Sequence, residues 1–315
     1  MNKLTRDPEN LHFIIDAKNE PKIHIYPGEE LIVETDRADG MFLSRENPVF
    51  RDHAHVMTVQ SNPVTGPIYV EGAMPGDKLS VKILDIFPGD DDSEGYSTYV
   101  PGQGVFANEF YPNLDYPPFT KWCEVNQDTL EVRFGDKKFK MDTVPFIGTI
   151  AVAHSKDVMA SYWMAKEILG NVDCRFITKG STLVLPINVE GALLSLGDMH
   201  ARQGAGELLG CAIECRGSVV ISVEVIKFAE IKYYGWPQVN TDTFIGSIGC
   251  VQNSMDQAVR YAVYDIIKRV ECMCDISFME AYMIIGQCVE IEICQIVGGF
   301  CTVIAKINRS FLSFE

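Results

Sequence analysis

The chain has 315 residues, of which 47% are hydrophobic and 22% charged, with a formal net charge of −16. Those values describe an ordinary globular protein with room for a large core. The acidic balance argues against nucleic acid or an anionic membrane surface as a partner, since both require clustered Lys and Arg.

Residues 1–10 are polar, and the apolar run at Phe13, Ile14 and Ile15 is too short for a signal peptide. No run approaches the ~18 apolar residues of a membrane span. A cytoplasmic location and no membrane partner are therefore expected. The ten cysteines are scattered and form no Cys-x-x-Cys pair, so reduced thiols are expected.

Residues 1–145 read as a β-rich unit. Ile23, Ile25, Leu31 and Val33 flank a Pro27-Gly28 turn in a hairpin-like pattern. Leu79, Val81 and Ile83 alternate with polar residues, which predicts a strand with one buried face. The acidic run at 89–95 reads as a solvated loop, and the Tyr, Pro and Gly-rich stretch at 96–118 as a lid or an oligomer contact. Two alternating runs between 129 and 141 are separated by Gly135-Asp136, a turn signal.

Residues 146–230 form a central β unit. The stretch 156–170 is less regular and is read as part helix. Strands are predicted over 182–189 and 218–227, where Val219, Ile221, Val223 and Val225 share a face. Residues 231–315 change character. Met255, Ala258, Val259, Ala262, Ile266 and Val270 follow helical spacing behind a Ser254/Gln257 capping box. A second box, Ser277/Glu280, opens a shorter helix, and two strands follow. The pattern is mainly β with a smaller α+β C-terminal unit.

The densest chemistry lies at 197–207, Gly-Asp-Met-His-Ala-Arg-Gln-Gly-Ala-Gly-Glu. Asp198 and His200 are two apart, so an extended backbone turns them to one side. Such a pair suits a divalent metal, or a base with its orienting acid. Asp173, Asp198 and His200 are the candidate metal ligands. Glu207 is the first candidate for general base, with Glu214 next or in support. Asn171 and Gln203 can orient a substrate or donate to an oxyanion, and Gly204 lets the backbone approach a small ligand. Asp173 also suits a plain turn, and Glu207 a backbone cap. His53 and His55 repeat the i, i+2 spacing but read better as a solvated strand edge. His154 closes an apolar strand, facing the site or simply capping the strand end. No Gly-x-Ser-x-Gly elbow is present. Asp and His together admit zinc first, with manganese or calcium as alternatives.

The 197–207 segment, which leads into Ala212-Ile-Glu214, resembles the acetamidase/formamidase family. Further blocks match it in order: Asn-Pro-Val-Thr-Gly-Pro-Ile-Tyr-Val-Glu-Gly from 62, Pro-Phe-Ile-Gly-Thr-Ile-Ala-Val-Ala-His from 145, Gly-Asn-Val-Asp from 170, Gly-Ser-Thr-Leu-Val-Leu-Pro from 180 and Ala-Tyr-Met-Ile-Ile from 281. Asp39 resembles an acidic position near the family's N-terminus. The resemblance implies a β-sandwich or barrel-like body of interleaved units. It also implies a homo-oligomeric hydrolase of a small linear amide, yielding carboxylate and ammonia, with a divalent metal assisting. Three departures bear on activity. Ile168 stands in place of a His, Ala205 in place of an acid, and Met199 in place of a Gly. They leave open a divergent member that binds a small ligand, or a hydrolase of a larger amide or lactam.

Overall fold

The computed structural model of the protein describes residues 2–56, 60–89, 93–106 and 116–313. Among these residues, two large sheets carry the fold. A nine-stranded sheet runs in the order Asn2–Leu4, Glu30–Thr35, Gly217–Ile226, Lys78–Pro88, Thr182–Pro186, Gln238–Asn240, Phe244–Gln252, Phe300–Asn308 and Glu290–Val297. A twelve-stranded sheet runs from Lys137–Asp142 through Thr129–Phe134, Phe119–Val125, Glu94–Tyr99, Ile213–Cys215, Leu194–Arg202, Phe146–Ala151 and Leu169–Asn171 to Met164–Ala165. Val64–Val70 branches from Leu194–Arg202 and brings in Leu11–His12 and Ile23–Ile25.

The two sheets share one apolar core. Val81, Ile83, Leu183, Val219 and Ile221 enter it from the first sheet, and Ile147, Ile150, Leu194, Leu196 and Met199 from the second. The alternation at Leu79, Val81 and Ile83 works as read: all three are fully buried. Gly135-Asp136 is a two-residue hairpin turn, with Phe134 opposite Lys137 across it.

Three expectations are corrected. Residues 22–34 do not form a hairpin. Ile23–Ile25 pairs in parallel with Val64–Val70, whereas Glu30–Thr35 pairs with Gly217–Ile226 in the other sheet. The Pro27-Gly28 turn, with Gly28 at φ +86, hands the chain from one sheet to the other. Residues 156–170 hold no helix but the short strands Met159–Ala160 and Met164–Ala165 and the start of Leu169–Asn171. Those strands find partners in Ile14–Ile15 and in each other, so sheet pairing prevails over local helical preference. At the helix Met255–Cys274, Ser254 accepts from the Gln257 N–H, but the Gln257 side chain donates to Tyr261 instead of closing the box. The box at Ser277/Glu280 is complete and starts the helix Phe278–Cys288.

Both helices pack on the C-terminal end of the nine-stranded sheet through Ala258, Ala262, Ile266, Val270, Ala281 and Ile285. Strands from before residue 145, between 146 and 230, and after 231 all enter that sheet. All ten cysteines are free. Among the described residues, no helix is long and apolar enough to cross a membrane. Residues 90–92 of the acidic loop and 107–115 of the aromatic stretch lie outside the described residues.

Candidate active site

His200 is the centre of the site, and its strand neighbours explain why. In the antiparallel ladder it stands opposite Glu214 on one side and Phe146 on the other. The Phe146 ring meets the imidazole edge-on at 4.7 Å between centroids. Nε2 of His200 lies 3.2 Å from Asp198 Oδ1, 3.2 Å from Glu214 Oε2 and 3.9 Å from Asp173 Oδ1. Met199, between the two site residues, packs into the core against Gly217. A methionine in place of a glycine therefore fills the interior and leaves the site face alone.

Asp198 and Asp173 are turned into the site by unusual backbone. Both adopt positive φ, 62° and 46°, as does Glu207 at 46°. Such conformations are costly for non-glycine residues and concentrate where function over-determines them. Pairing between Phe146–Ala151 and Leu194–Arg202 skips Gly148 and Asp198. Gly148 is needed there, because a β-carbon at that position would overlap Asp198 Oδ2 and fall 2.6 Å from Asp173 Oδ1.

A second ring of groups holds these acids. Asn171 Nδ2 donates to Asp173 Oδ2 at 3.0 Å. The Asn171 oxygen accepts from the Thr149 hydroxyl and from Asn62 Nδ2, the latter at 3.1 Å. Gln203 Nε2 donates to the backbone oxygens of Asp173 and Cys294, both at 3.0 Å, tying the Asp173 turn to the Glu290–Val297 strand. The Ala212 N–H and the Cys211 thiol donate to Glu214 Oε1, at 2.9 and 3.6 Å.

Five ionisable groups thus share one water-poor place, and their proton affinities move apart. Burial raises the Asp173 carboxyl well above the carboxylate range, and the charges of Glu207 and Asp198 add to the rise. Burial also raises Glu207, to about 8, against the pull of His200. Glu214 moves up by burial too. Burial works against ionised Asp198, yet the adjacent imidazolium holds that carboxyl below its ordinary value. His200 is carried well above its ordinary value because the Glu214 and Asp198 carboxylates outweigh its burial.

The residues fit a divalent cation. Ligand atoms of Asp173, Asp198 and His200 lie within 4.8 Å of one another, and so do those of His200, Glu207 and Glu214. Asp173 Oδ1 and Glu214 Oε2 are buried without a hydrogen-bond donor, although both face the same imidazole nitrogen. Orphaned, converging carboxylate oxygens with one imidazole form the donor set of a borderline-to-hard metal.

A cavity of about 140 Å³ adjoins the cluster, and Asp173, Asp198, Glu207 and Glu214 line it together with Asn171. This is small beside the roughly 300–1,000 Å³ of drug-sized sites. Asp39 lines it too, held by a bidentate Arg37 pair at 2.9 and 2.8 Å. Gln203 is buried behind the site and is not among the cavity residues. Gly204 and Ala205 are exposed. His154 caps its own loop, accepting from the Asp157 N–H at 2.8 Å, and His55 packs on Phe42 and Phe50. Its neighbour His53 lies in a one-turn helix, His53–Val56, not on a strand edge. Sequence reading missed Asn62, Gly148 and Thr149, although Asn62 opens one matched block and the other two lie inside a second. Phe300 and Gln295, also at the cavity, carry no local signal.

Large mixed-pairing sheets with a buried carboxylate–imidazole cluster beside a small cavity define a mainly β class of protein whose cluster could bind a metal. The chain belongs to the acetamidase/formamidase family, whose model matches residues 3–169 and 163–305. It is 29% identical over 261 residues, 64% of its length, to an acetamidase of Mycolicibacterium smegmatis. It is 26% identical over 84% of its length to a formamidase of Methylophilus methylotrophus. These matches span 63% and 77% of the two relatives' own lengths. The crystal structure of an acetamidase from Bacillus halodurans superposes with a TM-score of 0.86 at 28% identity, covering 98% of both chains.

Proposed function

We propose that this protein hydrolyses a small linear amide, of the formamide or acetamide kind, to a carboxylate and ammonia. The observation that carries this reading is the convergence of Asp173, Asp198, Glu207 and Glu214 on His200 at the wall of a small cavity, in a member of a family whose relatives carry those names.

Asp173, Asp198 and His200 would hold a divalent cation, zinc before manganese or calcium. Such a cation, when bound, polarises a carbonyl oxygen and acidifies a water. Glu207 takes a proton from the attacking water and returns it to the leaving nitrogen. Burial raises its carboxyl in the metal-free fold, the direction a general base needs. Glu214, opposite His200 across the ladder, fixes the position of the imidazole, and Asn171 orients the substrate amide at the mouth of the cluster. Gln203 acts one step back by fixing the Asp173 turn. The protein is placed in the cytoplasm as a homo-oligomer. Free thiols support the first placement, and exposed Met279, Tyr282 and Met283 on the second helix offer contact surface for the other.

Ammonia release from formamide and acetamide, before and after chelation and metal add-back, tests the reading. Chelator-sensitive release that returns with metal is expected. Folded, metal-loaded protein that releases ammonia from neither amide overturns it.

A further inference from the structure

The edge strand Glu290–Val297 changes register where it passes the site. Its pairing with Phe300–Asn308 joins Ile293 to Val303 and Gln295 to Thr302, so Cys294 is skipped and the strand is bulged there. Bulges re-aim the side chains around them and recur beside active sites. Gln295, directly after this bulge, is buried to 1%.

Three hydrogen bonds link the bulge to the two turns that carry the site acids. Gln295 Nε2 donates to the Asn171 backbone oxygen at 2.6 Å. The Ile296 N–H donates to the Gly206 carbonyl at 3.0 Å, and Gly206 and Gln295 form an isolated parallel bridge. The Cys294 carbonyl accepts from Gln203 Nε2. Asn171 leads into the Asp173 turn, and Gly206 directly precedes Glu207.

The two turns are distant in sequence, and each also has bonds of its own. The Asp173 N–H donates to the Gly148 carbonyl and the Glu207 N–H to the Gly204 carbonyl, both at 3.2 Å. Those bonds shape each turn locally. The bulge holds both turns at once, and it belongs to the other large sheet. Asp173 and Glu207 both have φ of 46°, a conformation that persists only where the surroundings over-determine it. Their charges act on each other across the site.

We infer, building on the amide-hydrolase reading, that Gln295 is a positioning residue: by bracing the bulge against the Asn171 carbonyl it fixes the base Glu207 relative to the ligand Asp173. It acts through the two turns and makes no contact with the reacting amide. A base shifted from the water it must deprotonate loses rate while substrate and cation stay bound. Asp198 and His200 are held on a different strand, Leu194–Arg202, so the cation site survives the loss of this brace.

The test is Gln295→Met, which keeps the length of the side chain and removes its donor. In metal-loaded protein, kcat for acetamide should fall at least about tenfold while KM stays within about threefold. Metal content by elemental analysis should match wild type. Amide hydrogen exchange supplies a readout that needs no turnover, and it should quicken in both segments, 170–175 and 203–210. Gln295→Asn, whose amide is one methylene short of the Asn171 oxygen, should act in the same direction and decides the matter if the methionine variant does not fold. An unchanged kcat overturns the inference. So does a rise in KM alone, which would make Gln295 a substrate contact, and so does a loss of metal, which would confine its role to the ligand turn. If wild-type protein hydrolyses no amide, the hydrolase reading fails and exchange decides: quickening in both segments supports the brace, and quickening in one or neither overturns it.

Discussion

Gly148 faces Asp198 so closely that any side chain at 148 would displace the carboxylate. The two strands skip pairing at this point, and Asp198 takes a left-handed backbone to reach the site. The glycine is thus a geometric requirement of the acid cluster. Gly148→Ala pushes apart Asp198 and Asp173, the two candidate ligands on that side. Metal content by elemental analysis should fall to a minor fraction of the wild-type value, and amide hydrolysis by about 100-fold or more. The far-ultraviolet spectrum should not change. Full metal occupancy in the variant would show that these two acids do not hold the ion.

Asp198→Asn and His200→Ala remove the charge pair at the centre. Each should abolish chelator-sensitive ammonia release, by about a thousandfold or more, as losing a primary ligand does. Asp198→Asn keeps the shape of the side chain, so retained activity in that variant would be the more damaging result.

The same cluster sets a pH dependence of stability in metal-free protein. Glu207 has a carboxyl near 8 in the fold against an ordinary value of 4.5. A group raised in this way stabilises fully below its unfolded value, and that contribution is lost as pH climbs through the folded one. His200, also raised, acts in the same direction. Asp198, which is lowered, contributes stability that is present above its ordinary value of 3.8 and is lost only on the acid side of this window. The melting temperature of chelated protein should therefore fall between about pH 4.5 and 8. Added divalent metal should restore it most strongly at the upper end. A flat profile, or equal metal stabilisation at pH 5.5 and 8.5, would contradict the assignment.

How much of this was legible in the chain depends on the range over which each feature is decided. Strands at 78–88 and 217–226 and the helix at 255–274 were readable because alternation and helical spacing are local. The acids and the imidazole were readable because Asp198, His200, Glu207 and Glu214 lie within one short stretch. The division of residues 22–34 between two sheets was not readable, since the partner strands lie at 64–70 and 217–226. Nor were the roles of Asn62 and Gln203, whose side chains act 109 and 91 positions away, on Asn171 and on the Cys294 carbonyl. Phe300 reaches the cavity from the last strand of the chain and announces itself by no spacing at all.

Arg37 and Asp39 form a buried bidentate pair whose acid lines the cavity. Arg37→Ala leaves that carboxylate buried without its cation and frees the Leu43 carbonyl. A loss of about 3–5 kcal/mol is expected, read by urea denaturation. Replacing both residues with apolar ones of similar size should cost less than the single change, because no charge is then stranded. A single variant as stable as wild type would mean that water reaches Asp39.

Ala205 stands in place of an acid in the family pattern, one of the three departures that bear on activity. The structure puts it elsewhere. Residue 205 is exposed on the turn after Gln203 and takes no part in lining the cavity. A side chain there reaches solvent, where a charge is screened and contributes little. Ala205→Glu should therefore change kcat/KM for acetamide by less than about threefold and leave metal content unaltered. Ile168, in place of the family's His, is fully buried. Ile168→His should therefore destabilise the fold by burying an imidazole and should add no activity. A large gain of turnover in Ala205→Glu would instead mean that this turn closes over the site when substrate binds, bringing residue 205 to the reacting amide.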